Sequence, residues 1–167
     1  MKTYRSFSSD ETRKFGELLA QRVINHSSLI LERRRAIVLA LQGNLGAGKT
    51  TFTQGFFNGL GIKQRAISPT FVIMRRYRIP KRHETKDMRR GGKRNSSLSH
   101  IYHFDAYRLK KAEDMEVLKF DATLSDPRNL ILIEWPERIK DALPKTTVWL
   151  KFEHGKKENE RIIRFKN

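Results

Sequence analysis

The sequence predicts an α/β layered fold around a mixed β-sheet, and three observations predict it. An unbroken apolar run, "AIVLAL" at 36–41, feeds directly into "QGNLGAGKTT" and then into a helical pattern, the strand–loop–helix unit of a sheet covered on both faces. A second apolar run, "NLILIE", ends at a carboxylate, Glu134. Apart from a short stretch near the N-terminus, the other strand-like stretches fall into two hairpins, one central and one C-terminal.

The elements follow in order. Tyr4–Phe7 predicts a short edge strand. "SSDETRKFGELLAQRVI" predicts a helix capped by Ser8 with Glu11 as its capping-box partner, and Phe15, Leu18, Leu19 and Val23 on its inward face. The strand at 36–41 and the glycine-rich loop lead into "TTFTQGFFNGLGI", a helix with Phe52, Phe56, Phe57 and Leu60 inward and Gly59 and Gly61 at its end. "SPTFVIMRRYRIP" and "SHIYHFDAYRL" predict the arms of a long hairpin whose tip is the basic segment 80–98; Pro80 closes the first arm and "GGKRNSS" is a polar tip. "KAEDMEVLKF" predicts a short amphipathic helix, and "TTVWLKFEH" and "RIIRFK" a hairpin turning at "GKKENE". With 167 residues and no repeat, one domain spanning 1–167 is expected.

Composition narrows the chemistry. The chain has no cysteine, which excludes a disulfide framework, thiolate-held zinc and a thiol nucleophile. "MKTYRSF" lacks the apolar core of a secretory signal, and the longest apolar run is far short of a membrane span, so a cytoplasmic chain without membrane contact is expected. The formal charge of +17 suits a polyanionic partner, and it is local: ten Lys/Arg from Arg75 to Arg94 face only Glu84 and Asp87. That tip lacks the interleaved aromatic residues of single-strand binders, so any nucleic-acid contact there would be directed at phosphates.

Gly43 to Thr50 matches G-x-x-x-x-G-K-[ST] in full, between a buried strand and a helix, where such a loop must sit to cradle phosphates. Gly43, Asn44, Leu45, Gly46, Ala47 and Gly48 supply backbone N–H groups; Lys49 reaches the β- and γ-phosphates and the Thr50 hydroxyl ligates Mg²⁺. Glu134 ends its strand in the crevice where open α/β sheets bind ligands, and can hold Mg²⁺ through water or orient an attacking water. Trp135 follows it, as core packing or as a neighbour of the nucleotide. Asp105 alternates with His103 and Tyr107 in "YHFDAYR", and joins a magnesium shell if its strand passes the loop. Ser68 and Thr70, around Pro69, are either turn caps or sensors of a γ-phosphate. No guanine-reading Asn/Thr-Lys-x-Asp string occurs, which favours ATP.

The order of "GNLGAGKTTFTQGFFNGLGI", "SPTF", "YHFDAYRL", "LILIEWPERI" and "ERIIRF" resembles the TsaE (formerly YjeE) family, the ATPase component of bacterial tRNA threonylcarbamoyladenosine biosynthesis, over most of the chain. The resemblance implies a three-layer P-loop NTPase-like fold with a mixed central sheet that binds ATP and Mg²⁺ and acts on the TsaB–TsaD complex during threonylcarbamoyl transfer to the adenosine beside the anticodon of ANN-decoding tRNAs. It implies Lys49, Asp105 and Glu134 as catalytic residues, Thr50 and Glu134 at the metal, and Thr51 and Trp135 at the nucleotide. Two departures stand out: the family has a short turn where this chain carries the basic stretch 80–98, and Ile67 stands where members often have a hydroxyl residue. The tRNA is expected to be met indirectly, through TsaB–TsaD, with the basic tip 81–94 available to touch it. The rival readings are a small-molecule kinase, with the basic tip as its lid, and a basic nucleic-acid-binding module in which ATP is structural.

Overall fold

The computed structural model describes residues 2–27, 34–64, 73–81, 97–109 and 114–165. Seven strands form one mixed sheet: β1 (Lys2–Ser6), β2 (Ile37–Gln42), β3 (Met74–Arg78), β4 (His100–Asp105), β5 (Asn129–Glu134), β6 (Val148–His154) and β7 (Arg161–Phe165). Their order across the sheet is β1-β7-β6-β2-β5-β4-β3. The inner strands β6, β2, β5 and β4 run parallel, while β1, β7 and β3 join antiparallel at the two margins. The two runs without polar interruption, β2 and β5, lie side by side at the centre, because a strand covered on both faces has no solvent side.

Alternation along these strands divides the core in two. On one face Leu39, Leu41, Leu130, Leu132, Ile101 and Leu150 pack with Phe52, Phe56 and Phe57 of α2 (Lys49–Gly59) and with Phe15 and Ala20 of α1 (Ser9–Ser27). On the other, Val38, Ile131, Ile133 and Phe104 pack with Met115 of α3 (Asp114–Val117), Phe120 and Leu124 of α4 (Phe120–Ser125), and Ile139 of a 3₁₀ segment, Pro136–Ala142.

The N-terminus of α1 is built as the sequence predicts: Ser8 Oγ accepts from Glu11 N–H at 3.1 Å, and the Glu11 carboxylate reaches back to the backbone N–H of Phe7 at 2.8 Å. The inward face of α1 differs from expectation at one position. Phe15 is buried, but Leu18 is 51% exposed, because α1 meets α2 through small residues. A Cβ on Gly55 would stand 1.9 Å from Arg13 O, and one on Gly16 would stand 2.4 Å from Phe52 O. The helices touch backbone to backbone, and that contact turns Leu18 outward. The helix expected at 111–120 is also different. In its described part, from Asp114 on, it is two short helices broken at Lys119, whose φ is +52°, and Val117 is left 85% exposed.

Both hairpins are present as antiparallel pairs, β3 with β4 and β6 with β7. Ser68, Pro69 and Thr70 and most of the basic tip lie outside the described residues. Among the described residues no helix is long and apolar enough to cross a membrane.

Candidate functional site

The carboxyl ends of three neighbouring strands define one place on the molecule. In the sheet register Leu41 of β2 pairs with Glu134 of β5, and Glu134 pairs with Asp105 of β4. The glycine-rich loop leaves β2 beside them and returns as α2, whose first residue is Lys49. Gly46 (φ +75°) and Gly48 (φ +99°) take left-handed backbone conformations, which lets the loop curl over the helix start without a Cβ penalty. Asn44, Leu45 and Gly46 are exposed while Ala47 is buried, so the loop is anchored at its back and open in front. The positive end of α2 lies beneath that opening.

Lys49 is buried, with its ammonium folded back into the loop. Nζ donates to the carbonyls of Gly43 at 2.6 Å and Asn44 at 3.1 Å, and lies 4.1 Å from the centre of the Trp135 ring. Burial lowers the pKa of this ammonium, and the negative charges of Glu134, Glu137 and Asp105 pull it back up. Trp135 reaches its place through a left-handed backbone (φ +59°), uncommon for a large residue, which ends β5 abruptly and brings the indole over the loop. Its other neighbour is the half-exposed Tyr107, 5.2 Å away between ring centres, and Arg138 lies 5.9 Å from the Tyr107 ring.

Glu134 and Asp105 are both buried. Glu134 Oε1 sits 3.0 Å from Nε2 of His103, itself fully buried. Asp105 Oδ1 accepts the backbone N–H of Tyr107 at 3.0 Å, capping a 3₁₀ turn, Ala106–Arg108. Tyr107 therefore leaves the strand that Asp105 ends, instead of continuing its alternation. Thr50 is exposed on the first turn of α2, and Thr51 lines a polar cleft with Ser8, Ser9, Thr12, Gly46, Gly48, Asn159 and Arg161.

The expected residues thus come together: Gly43 to Thr51, Asp105, Glu134 and Trp135 share one end of the sheet. Periodicity did not reveal the buttress from the C-terminal hairpin. Arg161 donates through Nε to Gly46 O at 3.1 Å and through Nη1 to the carbonyls of Glu158 and Glu160, and His154 Nε2 lies 3.5 Å from Leu45 O. Their only sequence signal is a basic or aromatic residue at a strand end, which is common in any hairpin.

The donor set suits a hard cation shared with phosphate. It offers a hydroxyl at Thr50 and a carboxylate at Glu134, and among the described residues no group of three His, Cys, Asp or Glu gathers that could enclose a metal alone. Magnesium keeps several waters and takes its other oxygens from phosphates, so one or two protein ligands beside an open loop are what it requires.

Comparison with known proteins agrees with this architecture. The structure is similar to the crystal structure of YdiB from Bacillus subtilis, with a TM-score of 0.64 and 26% identity over 98% of this chain and 83% of that one. In sequence the chain is 34% identical over 128 residues to the tRNA threonylcarbamoyladenosine biosynthesis protein TsaE of Bacillus subtilis, covering 77% of this chain and 68% of that protein. It is 32% identical over 142 residues to the protein of the same name from Haemophilus influenzae, covering 85% and 73%. The family model described as threonylcarbamoyl adenosine biosynthesis protein TsaE matches residues 6–163, and with that span matched the chain belongs to the TsaE family.

Proposed function

We propose that this chain is a single-domain, cytoplasmic P-loop ATPase of the three-layer type, which works in tRNA threonylcarbamoyladenosine biosynthesis by binding a TsaB–TsaD complex and supporting threonylcarbamoyl transfer to the tRNA. The observation that carries the reading is the meeting of Lys49, the first residue of α2, with Asp105 and Glu134, at the ends of adjacent strands, beneath an open phosphate loop. ATP would lie with its phosphates on the N–H groups of Gly43 to Thr50 and on the helix end. Thr50 and Glu134 would hold Mg²⁺, which when bound neutralises charge on the β- and γ-phosphates.

The protein's own residues divide the remaining work. Lys49 trades the carbonyls of Gly43 and Asn44 for phosphate oxygens, and the indole of Trp135 keeps water from its ammonium. Glu134 orients a water at the terminal phosphate, and Asp105 presents a second carboxyl group at the neighbouring strand end. Arg161, which contacts the loop, is committed to the carbonyls of Gly46, Glu158 and Glu160, so it is no ready transition-state donor. Turnover by the chain alone is therefore slow, and the partner complex is what accelerates it. The exposed Arg75, Arg76 and Arg78 at the base of the basic segment face the phosphates of a tRNA held by TsaB–TsaD.

The test is ATP turnover by the purified chain, alone and with TsaB–TsaD, with Glu134→Ala beside it. Partner-stimulated turnover that the substitution abolishes is the expected result. Fast turnover indifferent to TsaB–TsaD, or phosphoryl transfer to a small acceptor, overturns the reading.

A further inference from the structure

We propose that His103 is a positioning residue for Glu134, holding its carboxylate in one rotamer under the phosphate loop. The proposal rests on the reading of Glu134 as the water-orienting carboxylate, and begins from an imbalance in the core. His103 is fully buried on the face of β4 that packs toward α2, with the edge of its ring against Phe57 at 5.9 Å between centres. Ile101, two residues back on the same face, and Leu132, its partner on β5, are both apolar. Packing alone would be served by a leucine or phenylalanine here. The imidazole instead leaves its Nδ1 buried without a hydrogen-bond partner, a cost the site carries.

What it gains is a single directed bond. A carboxylate oxygen can only accept, so the 3.0 Å contact to Glu134 Oε1 puts the proton on Nε2. Nδ1, on the other side of the ring, is the nitrogen left without a partner. The imidazole thus donates through Nε2–H, and it fixes one oxygen of the carboxylate. Such fixing matters because Asp105 ends the adjacent strand directly beside Glu134, so that a second carboxylate stands within reach of the site that Glu134 serves. The Nε2–H bond holds Glu134 on the α2 side of the sheet. His103 touches no nucleotide and transfers no proton; it acts through Glu134, as outer residues do around ligating side chains.

Three substitutions separate positioning from packing. Glutamine places an N–H near the position of Nε2, asparagine places one near Nδ1, and leucine removes the donor while keeping the volume. With the TsaB–TsaD complex present, His103→Gln is expected to stay within about threefold of wild-type kcat, and His103→Asn and His103→Leu to fall by about 10- to 100-fold. The KM for ATP and the affinity for ADP stay within about threefold throughout, since nucleotide binding is not what the bond serves. Equal kcat for the glutamine and asparagine variants, or wild-type kcat in the leucine variant, overturns the proposal. If the leucine variant does not fold, the glutamine–asparagine pair still decides. A wild-type chain that turns over no ATP sinks the ATPase reading alone. Long-range ¹⁵N NMR of the imidazole then judges the positioning: a ring protonated at Nε2, losing that preference in Glu134→Ala, supports it, and a ring protonated at Nδ1 overturns it.

Discussion

The ammonium of Lys49 lies 4.1 Å from the centre of the Trp135 ring while donating to Gly43 O at 2.6 Å, so one cation ties the end of β5 to the start of the phosphate loop. Phosphate drawing Nζ away from the loop carbonyls must change the field on the indole. In a Trp149→Phe background, where Trp135 is the remaining tryptophan, Mg·ADP is expected to shift its emission. Lys49→Ala should abolish the shift and weaken nucleotide binding by about 10- to 100-fold, the worth of one charge-assisted hydrogen bond. An unaltered shift in that variant would mean that the indole senses the nucleotide by another route.

The close approach of α1 and α2 sets a second expectation. A methyl at position 55 would stand 1.9 Å from Arg13 O, a contact with backbone that no rotamer relieves. Gly55→Ala is expected to destabilise the fold by about 3 kcal/mol or more. Leu18→Ala, at the exposed position on the same helix, should cost under about 0.5 kcal/mol. Denaturant unfolding of the two variants checks the contrast, and comparable losses would mean that the helices pack through side chains after all.

Acid should unlock the C-terminal hairpin. Glu160 accepts the backbone N–H groups of Lys156 at 2.7 Å and Lys157 at 3.3 Å, and those bonds, the Lys157 one foremost, hold its carboxyl below the ordinary 4.5. A carboxylate with a lowered folded pKa stabilises the fold only while ionised. The contribution is complete above the unfolded value and drains away as pH falls through the lower folded value. Asp126, lowered mainly by its hydrogen bond from Arg128, has the same sign. Glu160→Gln should lower the melting temperature at neutral pH and make it fall less steeply below about pH 4.5. Parallel pH profiles for the two proteins would refute this.

Arg75, Arg76 and Arg78 are exposed on β3, the described strand nearest the basic tip. If they meet tRNA phosphates, binding of tRNA by the assembled complex must depend on salt through them. Replacing all three with glutamine should reduce the slope of log K against log salt by roughly 2 to 3. An unchanged slope would remove these arginines from the tRNA surface and leave the ATPase reading intact.

Much of this was legible in the sequence, and what was not has physical causes. The phosphate loop, the two central strands and both hairpins announce themselves because apolar runs and glycine spacing are local signals. Leu18 was misplaced because periodicity counts apolar side chains, whereas α1 and α2 meet where side chains are missing, at Gly16 and Gly55. The break at Lys119 could not be foreseen, since a lysine gives no hint of a positive φ. The bond between His103 and Glu134 joins residues 31 apart and exists only because β4 and β5 pair in one particular register. Arg161 meets Gly46 across 115 residues for the same kind of reason.

The arginines of β3 also bear on how copies of this chain behave toward one another. In the order of described strands β3 stands last, with β4 on one side and no strand on the other. An open margin of that kind is a template for a second molecule's backbone, and a row of like charges is among the commonest defences against it. Two such margins approaching each other would bring like guanidinium groups together on both faces of the joined sheet, Arg76 and Arg78 on one and Arg75 on the other. A polyanion that neutralises those charges lifts the defence. Any polyanion bound along β3 is therefore expected to lower the concentration at which copies of the chain pair.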